Sequence, residues 1–233
     1  MRIWDVNPGY LNRQSLLGEH RELHGIVSIV RNNKKGYSKH PETLRWVGYG
    51  WALKQRHKLI VAEMNLRGYI DRSPVNLRSK KNLWPTVFID SPASQLSILS
   101  KKYEMLEPGR ISLPKNAQQL WAQHKYSVMA RDIAAYKNIG KWLRSKRLGP
   151  KAINDVALEL TTLLKAPPNP KLIHNAVLHM WGYVSEYSGT VKNNIDSIPT
   201  KKILNKIQHL ALLHNSHYLI DSTALSELCA WAD

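Results

Sequence analysis

Two glutamates near the start of the chain, Glu19 and Glu22, lie in a segment whose apolar residues repeat at helical spacing. This spacing directs Glu19 toward the apolar face of the predicted helix and places Glu22 at the margin of that face. An ionised carboxylate on such a face is costly unless a cation pairs with it. The nearest basic residues along the chain are Arg2, Arg13 and Arg21. The acids are therefore either structural partners of arginines at the edge of the core, or they supply a catalytic carboxylate to a basic cleft.

The amino group of Met1 is a second candidate for chemistry. Removal of the initiator methionine requires a small second residue, and position 2 is Arg2, so we expect Met1 to remain and, once deformylated, to carry the α-amine. An α-amine gives up its proton at a lower pH than a lysine amine does, so it is more often a neutral nucleophile. A neutral amine can attack a sugar carbon and form an imine. The amine therefore favours the catalytic interpretation of the nearby acids.

The charge of the chain favours a polyanionic partner. The 233 residues include 34 Lys and Arg against 17 Asp and Glu, which gives a formal net charge of +17. No apolar run approaches the ~20 residues of a membrane helix, and the predicted helices have no basic amphipathic face. The first residues also lack the apolar run of a secretion signal. We expect a cytoplasmic protein that associates with the nucleoid when bound to DNA, with no membrane partner.

Neither cysteine nor histidine chemistry is expected. The single cysteine, Cys229, excludes an intramolecular disulfide framework and a cysteine-based structural zinc site. His20 and His24 are four residues apart and could share a metal ion, but their motif is His-Arg-Glu-Leu-His and not His-Glu-x-x-His. We interpret a second group near the C-terminus, His209, His214 and His217, as helix-end or surface residues. These residues thus predict no metal site.

Hydrophobic periodicity predicts helices and no convincing strand. Ser15 is expected to cap a first helix that ends near Arg31. A long apolar stripe between Pro41 and Gly68 predicts one continuous second helix, in which Gly48 would allow another backbone to approach closely.

The chain is expected to divide into two parts. Residues from about 71 to 114 are rich in proline, and this favours irregular structure with one short helix near 94–105. Further helices are predicted at about 116–131, 132–146, 150–165, 171–187, 199–218 and 222–231. The predicted fold class is all-α, with a compact N-terminal domain over residues 1–106 and a C-terminal helical bundle over residues 107–233.

Two N-terminal segments resemble a known enzyme family. Residues 16–23, Leu-Leu-Gly-Glu-His-Arg-Glu-Leu, resemble the active-site helix of the bacteriophage endonuclease V type of pyrimidine-dimer DNA glycosylase. Residues 55–69 resemble the second conserved segment of that family, a helix that ends in Arg-Gly-aromatic. The resemblance covers about the first 70–75 residues, with both segments in the family's order. One departure is Gly25, where the family often has an arginine.

The resemblance implies a DNA glycosylase and abasic-site lyase that needs no metal or cofactor. Its expected substrate is double-stranded DNA that contains damaged pyrimidines, above all cyclobutane pyrimidine dimers. Carried over by position, the amine of Met1 attacks the sugar C1′ and forms an imine, and Glu22 assists the β-elimination that nicks the strand. Arg2 and Arg21 hold phosphates by the same carry-over. The other expected DNA contacts are Arg13, Gln14, Lys34, Lys35, Arg56, Arg72, Lys80 and Lys81.

The C-terminal half has a resemblance of its own. Residues 124–132 and 178–183 resemble an uncharacterised helical domain that is found joined to thiouracil-desulfidase-like and photolyase-associated proteins. This association suggests modified or damaged pyrimidines, whereas packing between helices is the favoured explanation for the aromatic residues of these segments. The alternative functions are a non-catalytic nucleic-acid-binding module and an accessory protein that delivers damaged pyrimidines to another enzyme.

Overall fold

The protein is helical throughout the part of the chain that the computed structural model describes, which is residues 1–77, 79–144, 149, 151–188, 195 and 197–232. These residues form α-helices, short 3₁₀ turns and loops, and no β-strand occurs among them. The predicted all-α fold class is therefore confirmed. Within the same residues, none of the helices has the length and apolar character needed to span a membrane.

The helices vary widely in length. In chain order they are α1 (Arg13–Asn32), α2 (Pro41–Trp46), α3 (Gly50–Leu66), α4 (Pro92–Lys102), α5 (Ala117–Met129), α6 (Ile133–Arg144), α7 (Ala152–Leu163), α8 (Pro170–Trp181), α9 (Thr200–Leu213), α10 (His217–Ile220) and α11 (Ala224–Glu227). The predicted helices near 171–187, 199–218 and 222–231 are shorter than expected, because turns interrupt them. The predicted helix end at 146 and start at 150 lie outside the described residues.

The predicted start of α1 was wrong by three residues. The cap is Asn12, whose side-chain oxygen accepts a hydrogen bond from the backbone N–H of Ser15 at 2.9 Å. Ser15 itself already lies in the first turn of the helix. Both residue types cap helices well, so composition alone did not distinguish them.

The predicted single helix from Pro41 to Gly68 is two helices. Gly48 lies between α2 and α3 with a φ of +85°, a left-handed conformation that glycine adopts without strain. A Cβ at this position would meet no atom within 4 Å, so the expectation of a close backbone approach there was wrong. Gly68 does follow the end of α3 with a φ of +82°, as predicted for a helix stop.

Two apolar clusters form the core. The first unites the N-terminal segment with side chains of α1, α3, α4, α5, α6 and α7. The second is formed mainly by α8, α9 and the short helices near the C-terminus, together with the end of α5. The first cluster thus extends across residue 107. The domain boundary at this position stays a prediction, because two compact units can share apolar contacts across their interface.

A buried ionic junction joins α3 to the C-terminal region. Glu63 of α3 pairs with Arg110 at 2.7 Å and with Arg67 at 2.7 Å. Arg110 also donates hydrogen bonds to the carbonyl oxygens of Ile220 and Ser222. Burial acts to raise the pKa of Glu63, but the two arginines outweigh it and the pKa is lowered. One carboxylate therefore holds an arginine that reaches from the N-terminal helices to the segment around α10 and α11.

Acidification should destabilise the fold through His124. The ring of His124 is buried in α5, where its Nδ1 lies 2.9 Å from the carbonyl oxygen of Leu120, and burial lowers its pKa to about 4. In the unfolded chain the pKa of His124 returns to about 6.5. Between pH 6.5 and 4 His124 is therefore protonated in the unfolded chain but neutral in the folded chain, so the free energy of unfolding decreases as the pH falls toward about 4. When the pH is lowered from about 7.5 to about 5, His124 should decrease the free energy of unfolding by about 2 kcal/mol.

Urea unfolding at both pH values measures this effect. His124→Gln should show a pH dependence smaller by about that amount, and the same change at the exposed His209 serves as the control. Equal pH dependence in wild type and His124→Gln would contradict the assignment.

Candidate active site

The first six residues follow an extended path that buried side chains fix from both sides. Each of residues 3–6 bonds to one buried side chain through its backbone. The carbonyl oxygens of Ile3 and Val6 accept a hydrogen bond, and the amide N–H groups of Trp4 and Asp5 donate one. The partners, in chain order, are Arg45 (3.0 Å), Glu19 (3.1 Å), Gln95 (2.7 Å) and Arg56 (2.9 Å). Because helices α1, α2, α3 and α4 each supply one partner, the position of the N-terminus is set by the whole helical framework.

Glu19 and Arg56 form the central ion pair of this arrangement. The guanidinium Nε and Nη2 of Arg56 lie 2.7 Å and 2.9 Å from the two carboxylate oxygens of Glu19, a two-point contact. Both side chains are buried. Burial raises the pKa of Glu19, and the charge and hydrogen bonds of Arg56 oppose this increase. Of the two interpretations of the N-terminal acids, the structural one describes Glu19.

Glu22 occupies a different environment, beside the start of the chain. The nitrogen of Met1 lies 3.9 Å from Oε2 of Glu22, and the backbone N–H of Arg2 donates a hydrogen bond to the same oxygen. The Met1 side chain is 14% exposed and the Glu22 side chain 41% exposed. The Met1 sulfur lies 4.0 Å from where a Cβ would stand at Gly25, so the methionine side chain passes close to this part of α1. An amine and a carboxylate thus lie next to each other at a partly exposed position, called below the pocket of Met1 and Glu22.

The two arginines next to these groups differ in their availability. Arg2 is partly buried, with Nη2 at 2.8 Å from a carboxylate oxygen of Asp90 and the guanidinium carbon 4.2 Å from the ring centroid of Trp4. Arg21 is exposed on α1, directly before Glu22. Arg21 can therefore meet a ligand as it stands, whereas Arg2 would have to exchange Asp90 for a phosphate.

Most of the remaining predicted DNA contacts lie at the surface. The exposed residues of this set are Arg13, Gln14, Lys34, Lys35, Arg72, Lys80 and Lys81. Arg56 does not belong with them, because its side chain is buried and its guanidinium group is bound to Glu19 and to the carbonyl oxygen of Val6. Its predicted role as a DNA contact is corrected to that of a positioning residue.

Three histidines and one aspartate form a separate cluster between α1, α3 and the segment after α3. The four residues are His20, His24, His57 and Asp71, and one ligand atom from each lies within 4.8 Å of the others. The ring centroids of the histidines are 4.7–5.2 Å apart. Burial lowers the pKa of His57 to about 4 and also lowers that of His24. Burial acts to raise the pKa of Asp71, but hydrogen bonds from Ser73 and the nearby histidines outweigh it and lower the pKa. Neutral imidazoles and an ionised carboxylate are the forms that bind metal ions.

Comparison with known proteins finds a match for the N-terminal region. A family model described as pyrimidine dimer DNA glycosylase matches residues 1–77. The predicted family resemblance is confirmed. For this glycosylase-like region, residues 1–77, the match supports a pyrimidine dimer DNA glycosylase role and, with it, DNA as the substrate.

The comparisons also bear on the remainder of the chain. A second family model, described as a protein of unknown function, matches residues 125–228, as the resemblance of the C-terminal half predicted. No curated protein and no solved structure gives a significant match. A mechanism for this chain therefore depends on the geometry around Met1 and Glu22.

Sequence reasoning missed the side chains that position the N-terminus. Arg45 and Gln95 were not singled out, because each lies far along the chain from the residue it contacts. A signal for Arg45 was present in Glu42, three residues earlier on the same helix face, which pairs with it at 2.7 Å. His57 and Asp71 were missed as partners of His20 and His24 for the same reason of sequence distance.

Substitution of Arg56 tests whether its ion pair with Glu19 stabilises the N-terminal segment. Arg56→Met keeps an unbranched apolar stem but leaves the buried carboxylate of Glu19 without its cation. Removal of one partner from a buried pair costs about 3–5 kcal/mol, so the free energy of unfolding should fall by about that amount. Urea unfolding monitored by tryptophan fluorescence measures the loss. Arg13→Met on the exposed start of α1 is the matched control and should change stability little. A loss no larger than that of the control would contradict the central role of the pair.

Proposed function

We propose that this protein is a DNA repair enzyme that excises damaged pyrimidines, above all cyclobutane pyrimidine dimers, and then nicks the abasic strand. The observation that carries the proposal is the distance of 3.9 Å between the nitrogen of Met1 and Oε2 of Glu22. The glycosylase-like region supports the base-excision step, and the amine beside a carboxylate supports the lyase step.

The proposed reaction begins with attack by the unprotonated amine of Met1 on C1′ of the damaged nucleotide. The new C1′–N bond replaces the glycosidic bond, whose electron pair leaves with the pyrimidine, and opening of the sugar ring gives an imine. Glu22 stabilises the positive charge that develops at the sugar and accepts protons during these steps. Removal of a proton from C2′ then expels the 3′ phosphate by β-elimination, and hydrolysis of the imine regenerates the amine.

The fixed N-terminus supports this chemistry physically. The four backbone bonds of residues 3–6 hold the segment before α1 in place, so the amine does not have to be ordered when substrate binds. The exposed side chain of Arg21 adjoins Glu22, and the net charge of +17 favours association with a phosphate backbone. The proposed DNA contacts are Arg2, Arg21 and the exposed basic and polar residues named above.

Borohydride trapping on a duplex that carries a pyrimidine dimer tests the imine. Protein with a free N-terminus, verified by mass spectrometry, should form a covalent adduct, because borohydride reduces the imine to a stable amine. Acetylation of the N-terminus, or its extension by a few residues, should abolish the adduct. No adduct with verified, unblocked protein would overturn the proposed mechanism.

Substitution of Glu22 separates catalysis from binding. Glu22→Gln should lower turnover by at least about 100-fold, because the amide cannot accept a proton, while DNA affinity and stability change little. Glu104→Gln, a change of the same kind at an exposed position, should leave turnover intact. Salt-sensitive DNA binding without cleavage by wild type, and no effect of Glu22→Gln, would instead favour the alternative of a non-catalytic nucleic-acid-binding or accessory module.

A further inference from the structure

We propose that His20, His24, His57 and Asp71 form a binding site for one divalent transition-metal ion, and that Zn²⁺ is the ion that fits. Three imidazoles and one carboxylate are a complete ligand set for a closed, four-coordinate zinc site of the structural kind. The proposal replaces the sequence-based expectation that this chain holds no metal. It is independent of the proposed function, since none of the four residues belongs to the pocket of Met1 and Glu22.

The distances between the ligand atoms agree with a tetrahedral site. Zn–N and Zn–O bonds of about 2.0–2.2 Å place neighbouring ligand atoms of a tetrahedron about 3.3–3.5 Å apart. Nε2 of His20 lies 3.2 Å from one oxygen of Asp71, and Nε2 of His57 lies 3.5 Å from the other. The Nε2 atoms of His24 and His57 are 3.2 Å apart. All four ligand atoms lie within 4.8 Å of one another, so side-chain shifts of about 1 Å would complete the tetrahedron around one carboxylate oxygen.

The four ligands come from three separate elements. His20 and His24 are one turn apart on α1 and therefore project from the same face of the helix. His57 comes from the middle of α3, and Asp71 from the irregular segment that follows it. At 100° per residue, Glu22 projects to nearly the opposite side of α1 from His20 and His24. The metal site and the proposed catalytic carboxylate thus use different faces of one helix.

A bound ion would attach the chain after α3 to two helices that already pack on each other. The described residues between α3 and α4, which are 67–77 and 79–91, form no helix, and Asp71 lies near the start of this segment. The same segment continues to the exposed Lys80 and Lys81, two of the proposed DNA contacts. Coordination of Asp71 would anchor this segment to α1 and α3.

A network of hydrogen bonds is the competing explanation for the cluster. The Ser73 hydroxyl lies 2.5 Å from an oxygen of Asp71 and 3.2 Å from Nε2 of His24, so it could bridge the two without a metal. The two explanations differ in metal content, in metal affinity and in the response of the melting temperature to added zinc.

Metal analysis of the full chain, purified without a polyhistidine tag, provides the test. We expect about one zinc ion per chain and, after removal by a chelator, recovery of one equivalent on titration with Zn²⁺. Added Co²⁺ should give the intense visible absorption of a tetrahedral site. Zinc in excess should raise the melting temperature of the metal-free protein by about 5–10 °C.

Variants locate the ion. His24→Ala and Asp71→Asn each remove one ligand and leave the buried His57 in place, and each should lower zinc affinity by more than the roughly 10–100-fold that loss of an outer-shell partner costs. His209→Ala, at an exposed site on α9, is the matched control and should bind zinc as wild type does. Two results would overturn the proposal: wild-type protein that neither contains nor binds zinc, or zinc bound equally well by the cluster variants and the control.

Discussion

The arrangement of the N-terminal region depends on the buried ion pair between Glu19 and Arg56. Each partner bonds to the other and also to the first residues of the chain, Glu19 to the amide of Trp4 and Arg56 to the carbonyl oxygen of Val6. One pair therefore joins α1, α3 and the N-terminal segment at a single point. In a water-poor interior each of these charges is stabilised mainly by the other, so the two side chains cannot move apart without a large cost in free energy. The proximity of Met1 to Glu22 follows from this constraint.

Sequence spacing predicted α1 and indicated that its two glutamates were unusual. It could not assign their roles, because Glu19 and Glu22 differ mainly in partners that lie elsewhere in the chain. Arg56 is 37 residues from Glu19, and helical periodicity gives no information about contacts at that range. The same limit explains why Arg56 was predicted at the DNA interface: a basic residue in a family-like segment has the same appearance in sequence whether it is buried or exposed.

Hydrophobic periodicity also failed to locate one of the helix boundaries. The apolar stripe between Pro41 and Gly68 continues across Gly48, so periodicity favoured one helix where a left-handed glycine separates two. Proline and glycine did correctly indicate the start of α2 and the stop after α3. The histidine cluster shows the opposite case. Half of it was visible as the spacing of His20 and His24, but His57 and Asp71 join it only through the packing of α3 on α1.

The junction at Glu63 has a consequence for how the two halves of this chain depend on each other. A fragment that ended at residue 106 would lack Arg110, so Glu63 would keep only Arg67 as a cation in a site shaped for two. It would also lack α5 and α7, whose apolar side chains complete the first core cluster. The glycosylase-like region thus shares an ion pair and part of its apolar core with the C-terminal half of the chain. A substitution in α5 or α7 would therefore alter the packing that supports the fold in which Met1 and Glu22 lie together.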